Sequence, residues 1–170
     1  MPYAGQQIAV TPLTLVVALD TLSRVAPFPD HGATLSWADS IVGAELTARS
    51  PEVRWALPAE LRKIARRAPT VAPDPDRMGQ SMMREPRLDE VPDPLRSNLR
   101  SLLSLLNSRF ALVPASLTLV PEHSGQIRAE VSLVLADTRT GKVVWRTVTW
   151  GLGATPTQAL AAAMEAVLPV

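Results

Sequence analysis

Acidic side chains crowd one stretch of this sequence: Asp74, Asp76, Glu85, Asp89, Glu90 and Asp93. Carboxylates gathered in this way can hold a divalent cation or divide acid and base roles in a hydrolysis. Here they are spaced by prolines, with no histidine among them and no glycine-organised loop. Their spacing is also looser than an oxygen-ligand loop requires. Solvated loop charge is the expected role. A small-molecule binding or hydrolytic domain working through these loop carboxylates is the second functional reading of the chain.

The other candidates for chemistry are thinner. Cysteine is absent, which removes thiol catalysis, disulfides, iron–sulfur clusters and thiolate zinc sites together. His31 and His123 stand far apart in loop-like contexts, so a histidine metal site is not expected. Ser40 and the Ser124-Gly125 pair lack a neighbouring His and Asp, and no Gly-x-Ser-x-Gly elbow occurs. Gly151-Leu152-Gly153 lacks the rest of a dinucleotide fingerprint and is expected to be a bend. No catalytic, cofactor-binding or metal residue is therefore expected, and the chain reads as non-enzymatic.

What remains suits recognition of a macromolecule. Arg62, Lys63, Arg66 and Arg67 form a basic cluster at helical spacing, a solvated face that an acidic protein or a lipid headgroup can meet. A formal net charge of +1 over 170 residues lacks the basic excess of a nucleic-acid binder. Met78, Met82 and Met83, with Leu88 and Val91, offer adaptable apolar contacts inside a proline-rich stretch. Packing of that stretch onto its own domain is the competing expectation. Trp145 and Trp150 are five positions apart and must face opposite sides of a strand. One belongs in the core, and the other is a candidate interface anchor. The partner-binding candidates are Met78, Met82, Met83, Leu88, Val91, Trp150, Arg62 and Arg66.

These residues need elements to position them. The chain is 46% hydrophobic and 19% charged, which is globular, and it is long enough for one domain with a buried core. Sixteen prolines against eight glycines stiffen its loops. A strand is expected over 7–19, broken or displaced at Pro12. After a loop at 27–32, a helix is expected from Ser36 as N-cap to Arg49, with Asp39 near its positive end. Val53–Leu57 reads as a short strand and Pro58 opens a second helix. From Pro69 to Pro94 the chain makes a long proline-rich excursion with a helical turn near 77–83. Leu95, Leu99, Leu102, Leu103 and Leu106 then mark the clearest helix. Phe110–Val120, Gln126–Ala136 and Val143–Trp150 read as a three-stranded meander with a turn over Asp137–Lys142. Thr155-Pro156-Thr157-Gln158 caps a terminal helix expected to reach about Leu168. The fold class is α+β: a mainly antiparallel sheet with helices on one face, a C-terminal meander and a last helix, in a single domain over 1–170.

The run Val131 to Trp145 contains Asp137-Thr138-Arg139-Thr140-Gly141-Lys142-Val143-Val144-Trp145. It resembles the hairpin of bacterial envelope proteins in the curli-secretion lipoprotein, penicillin-binding-protein activator and TolB amino-terminal group. There a strand ending in Asp-x-x-x-Gly-x-x-x-Trp precedes a small-residue loop and an amphipathic helix. The opening Ile8-Ala9-Val10-Thr11-Pro12-Leu13 is similar to their first strand. The likeness covers about half the chain; the stretch from Pro69 to Leu106 and the missing lipid-attachment cysteine depart from it.

The resemblance implies a periplasmic or envelope-associated, lipoprotein-like accessory protein. Its partner would be a protein in or at a membrane complex, with homo-oligomer formation as a further expectation. No stretch here has the character of a signal peptide, so for an exported protein the leader is expected to lie outside this numbering or to be missing from this sequence. The cysteine-free composition fits the cytoplasm equally. No run is long and apolar enough to span a bilayer.

Overall fold

The computed structural model describes residues 3–167. In chain order these form β1 (Gln7–Val10), β2 (Val16–Ala18), α1 (His31–Arg49), β3 (Arg54–Ala56), α2 (Pro58–Arg67), α3 (Leu95–Leu106), β4 (Phe110–Pro121), β5 (Ile127–Asp137), β6 (Lys142–Gly153) and α4 (Pro156–Glu165). Two 3-10 turns, Asp20–Arg24 and Gln80–Arg84, lie between them. One mixed sheet runs in the order β3-β1-β4-β5-β6, and β2 also pairs with β4. This is an α+β arrangement, as the sequence predicts. The expected end of the last helix at about Leu168 lies outside the described residues.

Pro12 divides the first strand as expected. Both halves still lie along β4, in parallel: Val10 is opposite Leu112, and Val16 is opposite Leu117. The meander is antiparallel throughout, and its turn falls between Asp137 and Lys142 as predicted. β4 shifts register between Pro114 and Ser116, which absorbs the ring that cannot donate to the ladder.

The expectation of helices on one face is corrected. α1 and α4 cover one side, where Val42, Leu46, Leu160 and Met164 meet Leu112, Leu117, Leu133 and Leu135. α2, α3 and the excursion cover part of the other, over Ala9, Ala111, Val113, Val134 and Ala136. The central strands are apolar at consecutive positions, so a single helical layer would leave half of those side chains in water.

The first helix also begins earlier than Ser36. Asp30 is its N-cap, accepting from the Ala33 amide at 2.9 Å. The Thr34 hydroxyl donates back to the Asp30 and Pro27 carbonyls, and Phe28 meets Trp37 edge-on. Asp39 therefore lies in the body of the helix, away from its positive end.

Candidate functional site

The excursion is built into the fold. Met78 and Met83 are 1% and 0% exposed, and Val91 is also buried, all against the leucines of α3. These three cannot offer contacts to a partner while the domain is folded, which corrects the expectation for them. Leu88 is half-buried against the same cluster. Of the methionines in the stretch, Met82 alone is well exposed.

Two polar clamps hold the excursion down. The buried Gln80 side chain donates to the Pro12 and Pro75 carbonyls and accepts from the Met78 amide, tying the loop to the break between β1 and β2. Arg62 is the second clamp. Its guanidinium reaches Asp39 at 3.0 Å and Asp76 at 2.8 Å, joining α2, α1 and the loop. The other oxygen of Asp39 accepts from the Leu13 amide at 2.9 Å.

Burial pushes the Asp39 carboxyl above the usual range, against the lowering pull of the Leu13 amide and Arg62. Hydrogen bonds to Asp76 and then Asp39 raise the Arg62 guanidinium further above its ordinary value. Arg62 is thus committed within the domain and is corrected as a free partner contact, whereas Arg66 remains exposed.

Besides Asp76, three of the loop carboxylates are engaged within the loop or at its junction with α3. Asp74 accepts from the Asp76 amide, Glu85 from the Arg87 amide, and Asp93 from the Ser97 amide and hydroxyl. Asp74 and Asp76 do line a concave site of about 430 Å³ with Arg62 and Arg66, between prolines. One of the two carboxylates there is already neutralised by Arg62, so the pair is not set up to share a proton or hold a metal. No group of three potential metal-ligating side chains occurs among the described residues.

The tryptophans divide as their spacing predicts. Trp145 is half-buried and packs against the core cluster on the side that α1 and α4 cover. Trp150 is 55% exposed on the opposite face, flanked on β6 by Val148 at 57% and Leu152 at 41%. Register extends this row across the sheet. Trp150 lies opposite Glu130, which lies opposite Thr118, which lies opposite Val17 of β2. The Arg128 guanidinium stands 4.9 Å from the Trp150 ring centroid and 3.7 Å from Glu130. Among the described residues no helix lies over this half of the face, and it is continuous with the sheet edge, because β6 is the last strand.

The head of that edge is occupied. The Val143 amide donates to the Asp89 carbonyl, and the Val91 amide to the Gly141 carbonyl, so the excursion adds a short antiparallel bridge there. Arg146 closes the boundary by donating to the carbonyls of Met83 and Leu88. Sequence reasoning missed Arg146, Gln80, Val148 and Leu152. The signal for the last two was present: from Thr147 to Gly153 the larger apolar side chains alternate with Thr and Gly, an inversion of the usual apolar-inward pattern.

Gly151 and Gly153 are strand residues and not a bend. A Cβ at Gly151 would collide with the Ala162–Ala163 backbone, so the glycines let α4 lie directly on β6. Among the described residues no helix is long and apolar enough to cross a membrane.

No protein-family model and no curated protein matches the chain. Solved structures with a similar arrangement include the LpoB C-terminal domain from Salmonella enterica, at 12% identity and TM-score 0.47, covering 89% of this chain and 84% of that one. A PelC dodecamer from Paraburkholderia phytofirmans is 16% identical with TM-score 0.43, covering 96% and 86%. A lipoprotein from Neisseria meningitidis is 12% identical with TM-score 0.41, covering 88% and 81%.

Proposed function

We propose that the chain is a non-enzymatic, envelope-associated accessory protein that holds a protein partner of a bacterial membrane complex against the open half of its sheet. The carrying observation is the row Val148, Trp150 and Leu152, exposed at alternate positions on an edge strand whose other face is core. A free strand edge supplies unpaired backbone donors and acceptors, and alternate side chains beside it supply pockets for an added strand. Trp150, stiffened by Arg128, is the anchor such an interface needs. The hairpin from Val131 to Trp145, with its likeness to envelope proteins, supports the setting. The excursion acts as a built-in cover that confines the partner to the remainder of the edge, within a single domain.

The test is a photo-crosslinking amino acid at Val148 in native cells, with a second at Ser40 on α1 as control. A specific adduct with an envelope protein from position 148 alone, lost when Trp150→Ser is added, is the expected result. Adducts of equal yield from both positions would refute the docking face.

A further inference from the structure

At the opposite end of the sheet from Trp150, the last turn of α3, the start of β4 and the β5–β6 turn enclose an open-mouthed cavity of about 220 Å³. Its wall carries three guanidinium groups, those of Arg100, Arg109 and Arg139, together with the polar side chains of Ser104, Asn107 and Ser108. From this geometry we infer a binding site for a phosphate-type oxyanion, distinct from the sheet face that carries Trp150.

The charge balance favours an anion. Asp137 is the one carboxylate among the described residues bonded into this corner, and Arg109 already answers it with a two-pronged contact at 3.1 and 2.7 Å. Among the described residues Arg100 and Arg139 form no ion pair, so two cations are left facing the cavity. The main chain at Arg139 is held in the turn, where its amide donates to Asp137 at 3.0 Å. Arg100 stands on α3 one turn beyond Arg96, whose side chain ties the helix to the turn by donating to the Thr140 carbonyl at 3.1 Å. Guanidinium groups converging on one cavity form charge-assisted, planar contacts with phosphoryl oxygens.

Two further features suit the assignment. A helix C-terminus ordinarily repels anions through its free carbonyls. Here Asn107 turns left-handed, and the amides of Asn107 and Ser108 fold back onto the Leu103 and Ser104 carbonyls, which quiets that end. The Ser108 hydroxyl, in the wall, is shielded from solvent and has no hydrogen-bond partner in the protein. A rotation about its single side-chain torsion would offer that donor to a ligand oxygen. The cavity is smaller than a drug-sized pocket, which is roughly 300–1,000 Å³, and matches a phosphoryl group with a small substituent.

A free phosphate ester and a phospholipid headgroup share this chemistry, and two arms of one experiment separate them. In the first, inorganic phosphate is titrated into the whole chain at constant ionic strength, with amide shifts followed by NMR. In the second, flotation is measured with phosphatidylglycerol and phosphatidylcholine vesicles. The expected result is saturable binding of phosphate, with shifts centred on Arg100, Ser104, Ser108 and Arg139. Arg100→Ala combined with Arg139→Ala should weaken it by at least about tenfold, since each removes a charge-assisted contact. Because both side chains are exposed, the melting temperature should stay unchanged. Flotation with phosphatidylglycerol alone, lost in the double variant, would identify the source as a headgroup; phosphate binding without flotation would identify a free ligand. No saturable binding in either arm, or binding unaltered in the double variant, would overturn the assignment.

Discussion

Near Ala111, Val113 and Ala136 the sheet meets α3 and the excursion, whereas farther along the same strands, at Val120 and Arg128, no helix among the described residues covers the same face. The two halves share strands, twist and hydrogen bonding, so the difference lies in their side chains. The covered half is built largely from alanine and valine, small enough for the leucines of α3 to reach the backbone layer. The open half carries Thr118, Glu130 and Arg128, which would have to be desolvated under a helix, and Val148 and Trp150, which would stand in its way. Coverage stops at Arg146, whose guanidinium needs two carbonyls from the excursion and takes them. A protein surface left apolar beside a deliberate stop differs from one left apolar by accident.

The sharpest way to break this contrast is to strip the covered half. Deleting 71–91 behind a short Gly/Ser bridge removes Met78, Met83 and Val91 from above α3 and opens the Arg62 clamp. The chain is expected to lose cooperative unfolding altogether, as seen by calorimetry. A folded, cooperative deletion variant would mean that the excursion is an appendage. Next in size is Leu99→Ala, at a fully buried site, with an expected cost of about 2–5 kcal/mol by denaturant titration.

Arg146→Met tests the boundary. Two carbonyls lose a charged donor, for an expected loss of about 1.5–3 kcal/mol, together with faster amide exchange at Val91 and Val143. Acid titration probes the two Arg–Asp couples, which pull in opposite directions. Hydrogen bonding from Arg109 holds the Asp137 carboxyl below its usual range. Its stabilising contribution is therefore present above about pH 4, the unfolded value, and lost as pH falls through the lower folded value. Asp39, raised chiefly by burial, favours folding in its neutral form. That contribution is present below about pH 4 and fades as pH rises through the raised value. Asp137→Asn should thus flatten the loss of stability on the acid side, measured by urea melts across that range. Smallest of all is Trp150→Ser, expected to change stability by no more than about 0.5 kcal/mol while removing the crosslinked partner.

Much of this was legible in advance. The leucine spacing of α3, the Asp137–Lys142 turn, the break at Pro12 and the opposed tryptophans all follow from local period and turn chemistry, which act within a few residues. Asp39 shows where that kind of reading ends. Its spacing to Ser36 imitates a helix start, yet its partners are Leu13 and Arg62, brought near by the sheet. Burial of Met78 and Met83 was hidden for the same reason. Proline and charge around them resemble a loose loop, and only the Gln80 side chain, fully inside, shows that the loop has been folded down. The second helical layer was implied by consecutive apolar residues in β4 and β5, though alternation in the meander drew attention to one face. Arg100 and Arg139, distant in sequence, become neighbours only when the hairpin turn meets the end of α3.

The parallel pairing of β1 with β4 sets a timetable for the ribosome. Ile8 and Val10 are separated from their partners Phe110 and Leu112 by α1, β3, α2, the excursion and α3, all of which are made in between. At about 5–20 residues per second, roughly 5–20 s pass between the two. During that interval the earlier strand has only the short β3 beside it. The sheet cannot close until β4 is made, so the elements from β1 to α3 must wait with their sheet-facing apolar side chains uncovered.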